Sequence, residues 1–265
     1  MNIPQKIIAI DWSGSQPAAA QRRHIVAAEV DASGIRLSSG RTRAELLAWL
    51  TTEVLPSEKN TMVGLDFSFS FPADFFARNH LGNIGDLWQL VAENGESWLA
   101  TCPPPFWGRP GKKRPVPFPG EELRQCEKAI NVGGIQPKSI YQIGGAGAAG
   151  TGSLRGMPLL PALRRAGCAV WPFDEPRLPL VLEIYPRLLT GPVAKSNPVA
   201  RRDYLAAMDL SGLPRLSAES REKAEESEDA FDALVSALAL YRRRAGFARL
   251  KAASDAAGRL EGAVC

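Results

Sequence analysis

Cysteine is sparse in this chain and badly spaced for cross-linking or metal capture. The four in 265 residues, Cys102, Cys126, Cys168 and Cys265, form no C-x-x-C pair. Neither a zinc knuckle nor a disulfide framework is indicated, and reduced thiols are the simplest expectation. Histidine is scarcer still. His24 and His80 alone leave little material for a histidine-based zinc site or a Ser-His-Asp relay. Long apolar runs are missing too: none approaches membrane-spanning length, and the run before Asp11 is too short for a secretory signal. A cytoplasmic chain with no membrane partner is expected. The net charge of +4 is only a weak pointer to polyanionic partners.

The chain does hold enough for a real core. With 45% apolar residues over 265 positions, it suits one large domain or one domain carrying a sizeable insertion. Three short apolar runs each end in a carboxylate: Ile7-Ile8-Ala9-Ile10-Asp11, Met62-Val63-Gly64-Leu65-Asp66 and Leu180-Val181-Leu182-Glu183. Such runs read as strands buried on both faces, and an acid at the carboxyl end is delivered to the sheet rim, where open α/β sheets bind ligands. A fourth acidic element, Glu228-Asp229-Ala230-Phe231-Asp232, opens the longest helical pattern.

The order of elements is equally informative. A strand from Lys6 to Trp12 precedes two antiparallel strands, His24 to Val30 and Gly34 to Ser39, turned at Asp31-Ala32-Ser33-Gly34. Thr42 then caps a helix through Val54 whose buried face is Leu46, Leu47, Trp49, Leu50 and Val54. Met62 to Phe67 returns as a strand. This β-β-β-α-β order predicts an α/β ribonuclease-H-like mixed sheet, three antiparallel strands and then parallel ones, flanked by helices.

The stretch from 72 to 167 breaks the alternation and reads as an insertion forming a cleft wall within a single domain spanning 1–265. It is expected to hold helices near Asp86 to Glu93 and Glu121 to Ile130, with a proline-rich basic loop between them. A helix from Leu159 to Ala166, a strand from Cys168 to Phe173, the strand ending at Glu183 and a polar connection follow. The last helix is expected from Ser227 to Arg244. There Phe231, Leu234, Val235, Leu238 and Tyr241 form an apolar stripe beside a face of small or acidic residues. Asp229 and Asp232, three apart, are expected to project together from its first turn. Asp229, Glu225, Glu226 and Glu228 could equally complement the helix dipole. Asp232, set between Phe231 and Ala233, fits that role poorly.

Like charges at one rim need compensation. Two carboxylates about 4 Å apart repel by roughly 4 kcal/mol at an effective dielectric of ~20. Either their pKa values rise or a cation sits among them. The strand-end motifs contain no lysine or arginine, so hard-oxygen coordination of Mg²⁺ or Mn²⁺ is the expected solution. Two such ions could activate water and stabilise a leaving oxygen at a phosphodiester.

Taken together, Ile10-Asp11-Trp12-Ser13-Gly14, Gly64-Leu65-Asp66-Phe67-Ser68-Phe69-Ser70-Phe71-Pro72, Glu183-Ile184-Tyr185-Pro186 and Glu228-Asp229-Ala230-Phe231-Asp232-Ala233-Leu234 resemble the domain of unknown function family 429. That family is described as predicted nucleases of the ribonuclease-H-like superfamily. The C-terminal D-x-x-D is also similar to that of the RuvC-type resolvases. By position, the resemblance implies metal ligation by Asp11, Asp66, Asp229 and Asp232. Asp11 would bridge two ions, Asp66 and Asp232 would complete their shells, and Asp229 or Glu183 would orient water. Glu183 departs from the resolvase pattern and could instead be a structural partner of Arg187.

Substrate contacts are sought among the cations. Phe106-Trp107-Gly108-Arg109-Pro110-Gly111-Lys112-Lys113-Arg114 sets four cations beside two aromatics. Arg109, Lys112, Lys113 and Arg114 could track phosphates and the rings could stack bases, or the rings could simply anchor a solvated loop. Lys138, with Ser139 and Tyr141, precedes the glycine-rich stretch 144–152 and could clamp a phosphate against exposed backbone N–H groups. The expected activity is therefore metal-dependent hydrolysis of nucleic acid. A non-catalytic nucleic-acid or nucleotide-binding module of the same fold is the alternative. So is an actin- or sugar-kinase-like nucleotide site, whose first phosphate loop Asp11-Trp12-Ser13-Gly14-Ser15 weakly resembles.

Overall fold

A computed structural model describes all 265 residues. The three apolar runs become parallel neighbours at the centre of one sheet. In chain order the elements are β1 (Lys6–Asp11), α1 (Ala18–His24), β2 (Val26–Asp31), β3 (Gly34–Ser38), α2 (Arg43–Trp49), a π-helical turn (Leu50–Val54), α3 (Leu55–Ser57) and β4 (Thr61–Leu65). Then come α4 (Ala73–Arg78), α5 (Ile84–Thr101), α6 (Gln125–Lys128), α7 (Ala149–Gly156), a 3₁₀ turn (Met157–Leu159), α8 (Leu160–Arg165), β5 (Ala169–Val170) and β6 (Leu180–Glu183). The remainder is helical: α9 (Pro186–Thr190), α10 (Pro198–Ala207), α11 (Ala218–Glu226), α12 (Glu228–Phe247) and α13 (Ala256–Glu261).

The sheet order is β3-β2-β1-β4-β6-β5. β3, β2 and β1 pair antiparallel, whereas β1, β4, β6 and β5 run parallel. This is the ribonuclease-H-like mixed sheet that the element order implies. Thr42 caps α2 as expected, in a reciprocal capping box with Glu45.

Alternation along the strands divides the interior into two layers. Ile8, Ile10, Val63, Leu65 and Val181 face one core with α2, α5, α7 and α8. Ile7, Ala9, Met62, Leu180 and Leu182 face the other, with α11 and α12. The segment 72–167 thus supplies much of the helical cover of one sheet face as well as a cleft wall. α12 lies close against the sheet because small residues face it: a Cβ on Gly64 would stand 3.1 Å from Leu240 Cδ1 and 2.8 Å from Ile184 Cγ2.

Several element boundaries differ from the sequence reading. α1 occupies Ala18–His24, so β2 begins at Val26 rather than His24. α5 runs to Thr101, well past Glu93, because Leu87, Trp88, Val91 and Leu99 all bury on one side. The piece expected over Glu121 to Ile130 shrinks to one turn, Gln125–Lys128, and the strand expected over Cys168 to Phe173 to Ala169–Val170. The polar connection after Glu183 contains three helices, α9 to α11. α10 and α11 were hidden because their buried faces are narrow, Arg201 with Leu205 and Ser220 with Ala224.

Candidate functional site at the sheet rim

Register settles which acids meet. Ile10 pairs with Leu65, so Asp11 and Asp66 follow side by side at the carboxyl ends of β1 and β4. Both continue the face covered by α12, where Asp232 is buried one turn into the helix. Leu65 pairs with Glu183, and Leu65 belongs to the opposite core. The alternation therefore sends Glu183 to the other side of the sheet.

The electrostatics follow from that geometry. Burial, reinforced by Asp66, Asp232 and Asp229, holds the Asp11 carboxyl well above the usual carboxylate range. Burial and the Asp232 charge push Asp66 up to about 8. Asp232 is raised as well by burial, against the pull of Lys195. Its Oδ2 pairs with the Lys195 ammonium, while its Oδ1 is buried with no partner. One turn along the same helix, the Ser236 hydroxyl is likewise buried and unpartnered.

Lys195 is the residue that the motifs missed. It lies in the loop between α9 and α10, 37 residues from Asp232 in sequence, and also stands 3.7 Å from Glu228 Oε1. Burial works to lower its pKa, but Asp232, Asp11 and Asp66 outweigh burial and hold it above the ordinary lysine value. The strand-end motifs hold no lysine or arginine, and the cation beside the acids comes from outside them. The one available signal was a lysine in the proline-bounded loop, Pro192 to Pro198, that follows the short helix after the acid-ended strand.

Asp229, on the first turn of α12, has its own partner, although its charge still reaches Asp11. Its Oδ2 meets His24 Nδ1 at 2.8 Å, on the wall of a second cavity of about 540 Å³ that Glu228 also lines. Glu183 is committed elsewhere. Arg124, not Arg187, is its partner: Nη1 donates to Glu183 Oε2 at 2.8 Å, and Nη2 to Oε1. The Phe69 N–H donates to the same Oε2 at 2.8 Å. Burial raises the Glu183 carboxyl pKa and the guanidinium opposes it. Arg124, 1% exposed, also binds Glu127 at 2.9 Å and the Glu261 carbonyl at 3.1 Å. Arg187 instead donates to the carbonyls of Gly191 and Val193.

A cleft of about 770 Å³ opens beside the rim on the opposite face from α12, with Asp66 at its edge and the buried Glu183 and Arg124 in its floor. Arg109 and Lys138 line it. Lys112 and Lys113 are exposed on the loop beyond, and Arg114 is paired with Glu122 at 3.0 Å. Ser139 and Tyr141 do not reach the cleft. The Ser139 hydroxyl is buried and donates to the Glu122 carbonyl, and Tyr141 packs among Phe71, Phe106 and Phe118. Phe106 is buried against Trp98 as an anchor of the basic loop, with no face free for a base.

The opposite cleft wall is the β1 to α1 loop. Trp12 Nε1 donates to the Gly152 carbonyl at 3.0 Å, and a Cβ on Gly14 would meet Gly152 N at 2.7 Å. Arg43 and Arg155 hold the carbonyls of Ser13, Ser15 and Gly14. Arg155, a second cation missing from the motif reading, is paired with Glu96 at 2.7 Å.

The acids suit a hard divalent cation by donor type, and the unpartnered Asp232 Oδ1 is an oxygen in want of one. As the side chains stand, however, no three of His, Cys, Asp or Glu form a coordinating group, and the Lys195 ammonium holds Asp232. No protein-family model, curated protein or solved structure matches this chain. No helix is long and apolar enough to cross a membrane.

Proposed function

We propose that this protein is a cytoplasmic metal-dependent nuclease that hydrolyses phosphodiester bonds. The observation that carries the reading is the meeting of Asp11, Asp66 and Asp232 from three separate elements at one sheet rim, each with its pKa raised chiefly by burial, and with the Asp232 charge raising both Asp11 and Asp66. Burying three acids together costs stability even with the Lys195 ammonium beside them, so their gathering calls for a functional reason. These three side chains would hold Mg²⁺ or Mn²⁺, which when bound would polarise a phosphoryl oxygen and lower the pKa of a water. The motifs that resemble family 429 contribute the same three acids. Asp229 serves by fixing His24 rather than as a ligand. Glu183 and Arg124 together shape the cleft floor. Arg109 and Lys138, neither of them in an ion pair, would hold the substrate backbone.

A second reading, a nucleic-acid or nucleotide-binding module without turnover, is favoured by one observation: Lys195 supplies a positive charge to the acids within the chain itself. A Mg²⁺-dependent cleavage panel of single-stranded, duplex and branched DNA and RNA separates the two. The nuclease reading expects cleavage by the native chain and at least a hundredfold loss in Asp11→Asn. Binding to these substrates without cleavage would establish the module instead.

A further inference from the structure

The loop that carries Lys195 is built to hold it in place. Residues 191–197 join α9 to α10 and are fastened at both ends by arginines. Arg187 donates to the Gly191 carbonyl at 3.0 Å and to the Val193 carbonyl at 2.6 Å. Arg201, 3% exposed, donates to the carbonyl of Lys195 itself at 2.6 Å. The rest of the Arg201 guanidinium binds the carbonyls of Glu225 and Glu226 at the end of α11, at 2.8 to 3.0 Å. Since α11 leads directly into α12, one buried arginine ties the Lys195 backbone to the helix that presents Asp232. A lysine paired casually at a surface needs no such bracing; exposed pairs contribute little and keep their freedom.

The pairing is also incomplete in an informative way. Lys195 engages Asp232 through Oδ2 and leaves Oδ1 buried and without a partner, with the unpartnered Ser236 hydroxyl one turn further along. An ammonium is a single charge with three donors, whereas the rim gathers three carboxylates. Lys195 pairs with one of these groups, Asp232.

We propose that Lys195 is a resident counter-ion of the acidic rim, occupying Asp232 while no divalent cation is bound and competing with such a cation for it. This inference rests on the metal-binding reading given above and adds that this side chain sets the affinity. Cation loading then exchanges one charge partner of Asp232 for another. The released ammonium turns outward from a loop whose backbone stays fastened by Arg187 and Arg201.

Mn²⁺ binding measured by electron paramagnetic resonance on the full chain tests the exchange. Lys195→Met is expected to bind Mn²⁺ at least tenfold more tightly than the native chain, and Lys195→Arg to stay within about threefold of it. Acetic anhydride labelling of the native chain, read by mass spectrometry, gives a test that needs no variant to fold. Lys195 should be protected in chelator and at least fivefold more reactive when Mn²⁺ is saturating. Native Mn²⁺ binding with unchanged Lys195 labelling, or with no gain in a folded Lys195→Met, would overturn the competition while leaving the metal site standing. Absence of Mn²⁺ binding in both the native chain and a folded Lys195→Met would overturn the metal site and the competition together.

Discussion

Replacing Asp66 by asparagine should stabilise the metal-free protein in mildly alkaline buffer, and the gain should vanish in acid. The Asp66 carboxyl is pushed up to about 8 by burial and the nearby Asp232 charge, whereas an unfolded aspartate titrates near ~3.9. Between those values the folded chain keeps a proton that the unfolded chain has released. The favourable contribution of the neutral acid is therefore fully present below pH ~4 and is lost as pH rises through about 8. One extra native proton corresponds to a slope of about 1.4 kcal/mol per pH unit, and the whole window to a ceiling of about 6 kcal/mol. Asp66 keeps part of its surface on the cleft, so solvent screening brings the expected effect nearer 2 to 3 kcal/mol. Urea unfolding of the native chain and Asp66→Asn in EDTA, from pH 5 to 9, measures it directly. The variant should already be slightly the more stable at pH 5, and the gap should widen steadily up to about pH 8 and level off above it. Asp11 shares the sign of the effect, so the variant keeps some residual slope. Parallel curves across the range would refute the reasoning, because they would mean that Asp66 ionises in the folded chain as freely as in the unfolded one.

Two further outcomes test the surrounding assignments. Arg124→Met should cost about 3 to 5 kcal/mol of stability, since it strands Glu183 and Glu127 without their cation in a dry interior. Adding Glu183→Leu should recover part of that loss, and a Tm unchanged by Arg124→Met would show that the buried network is not what holds the cleft floor. Arg109→Ala and Lys138→Ala should leave Tm within about 1 °C of native, as neither side chain is in an ion pair. Each should lower the salt dependence of oligonucleotide binding by about 0.7 to 1 in the log–log slope, read by fluorescence anisotropy.

Much of this architecture is legible in the chain because the patterns are local. Buried strands announce themselves as continuous apolar runs, and Thr42 with Glu45 marks a helix start three residues apart. Asp232 stands out because an acid between Phe231 and Ala233 has no place in a core-facing pattern. α10 and α11, between Glu183 and the last helix, are not legible because they bury only Arg201 with Leu205 and Ser220 with Ala224, too little for an apolar stripe. Tyr141 and Ser139 stand beside Lys138 in sequence, but local sequence carries no sign that Phe71, Phe75, Phe106 and Phe118, from distant segments, close around that tyrosine. The aromatics of the basic loop went inward for the same reason.

The sequence by itself determined that acids would stand at the carboxyl ends of buried parallel strands, since a strand's apolar run and its terminal carboxylate are neighbours along the backbone. Only the tertiary structure decided which of those acids belong together. Strand register and two-residue alternation turn Asp11 and Asp66 toward α12 and Asp232, and turn Glu183 the other way into the grip of Arg124. It likewise decided what neutralises them. Lys195 reaches Asp232 because packing folds the α9 to α10 loop over the rim, a through-space encounter between residues 37 apart that no spacing rule encodes.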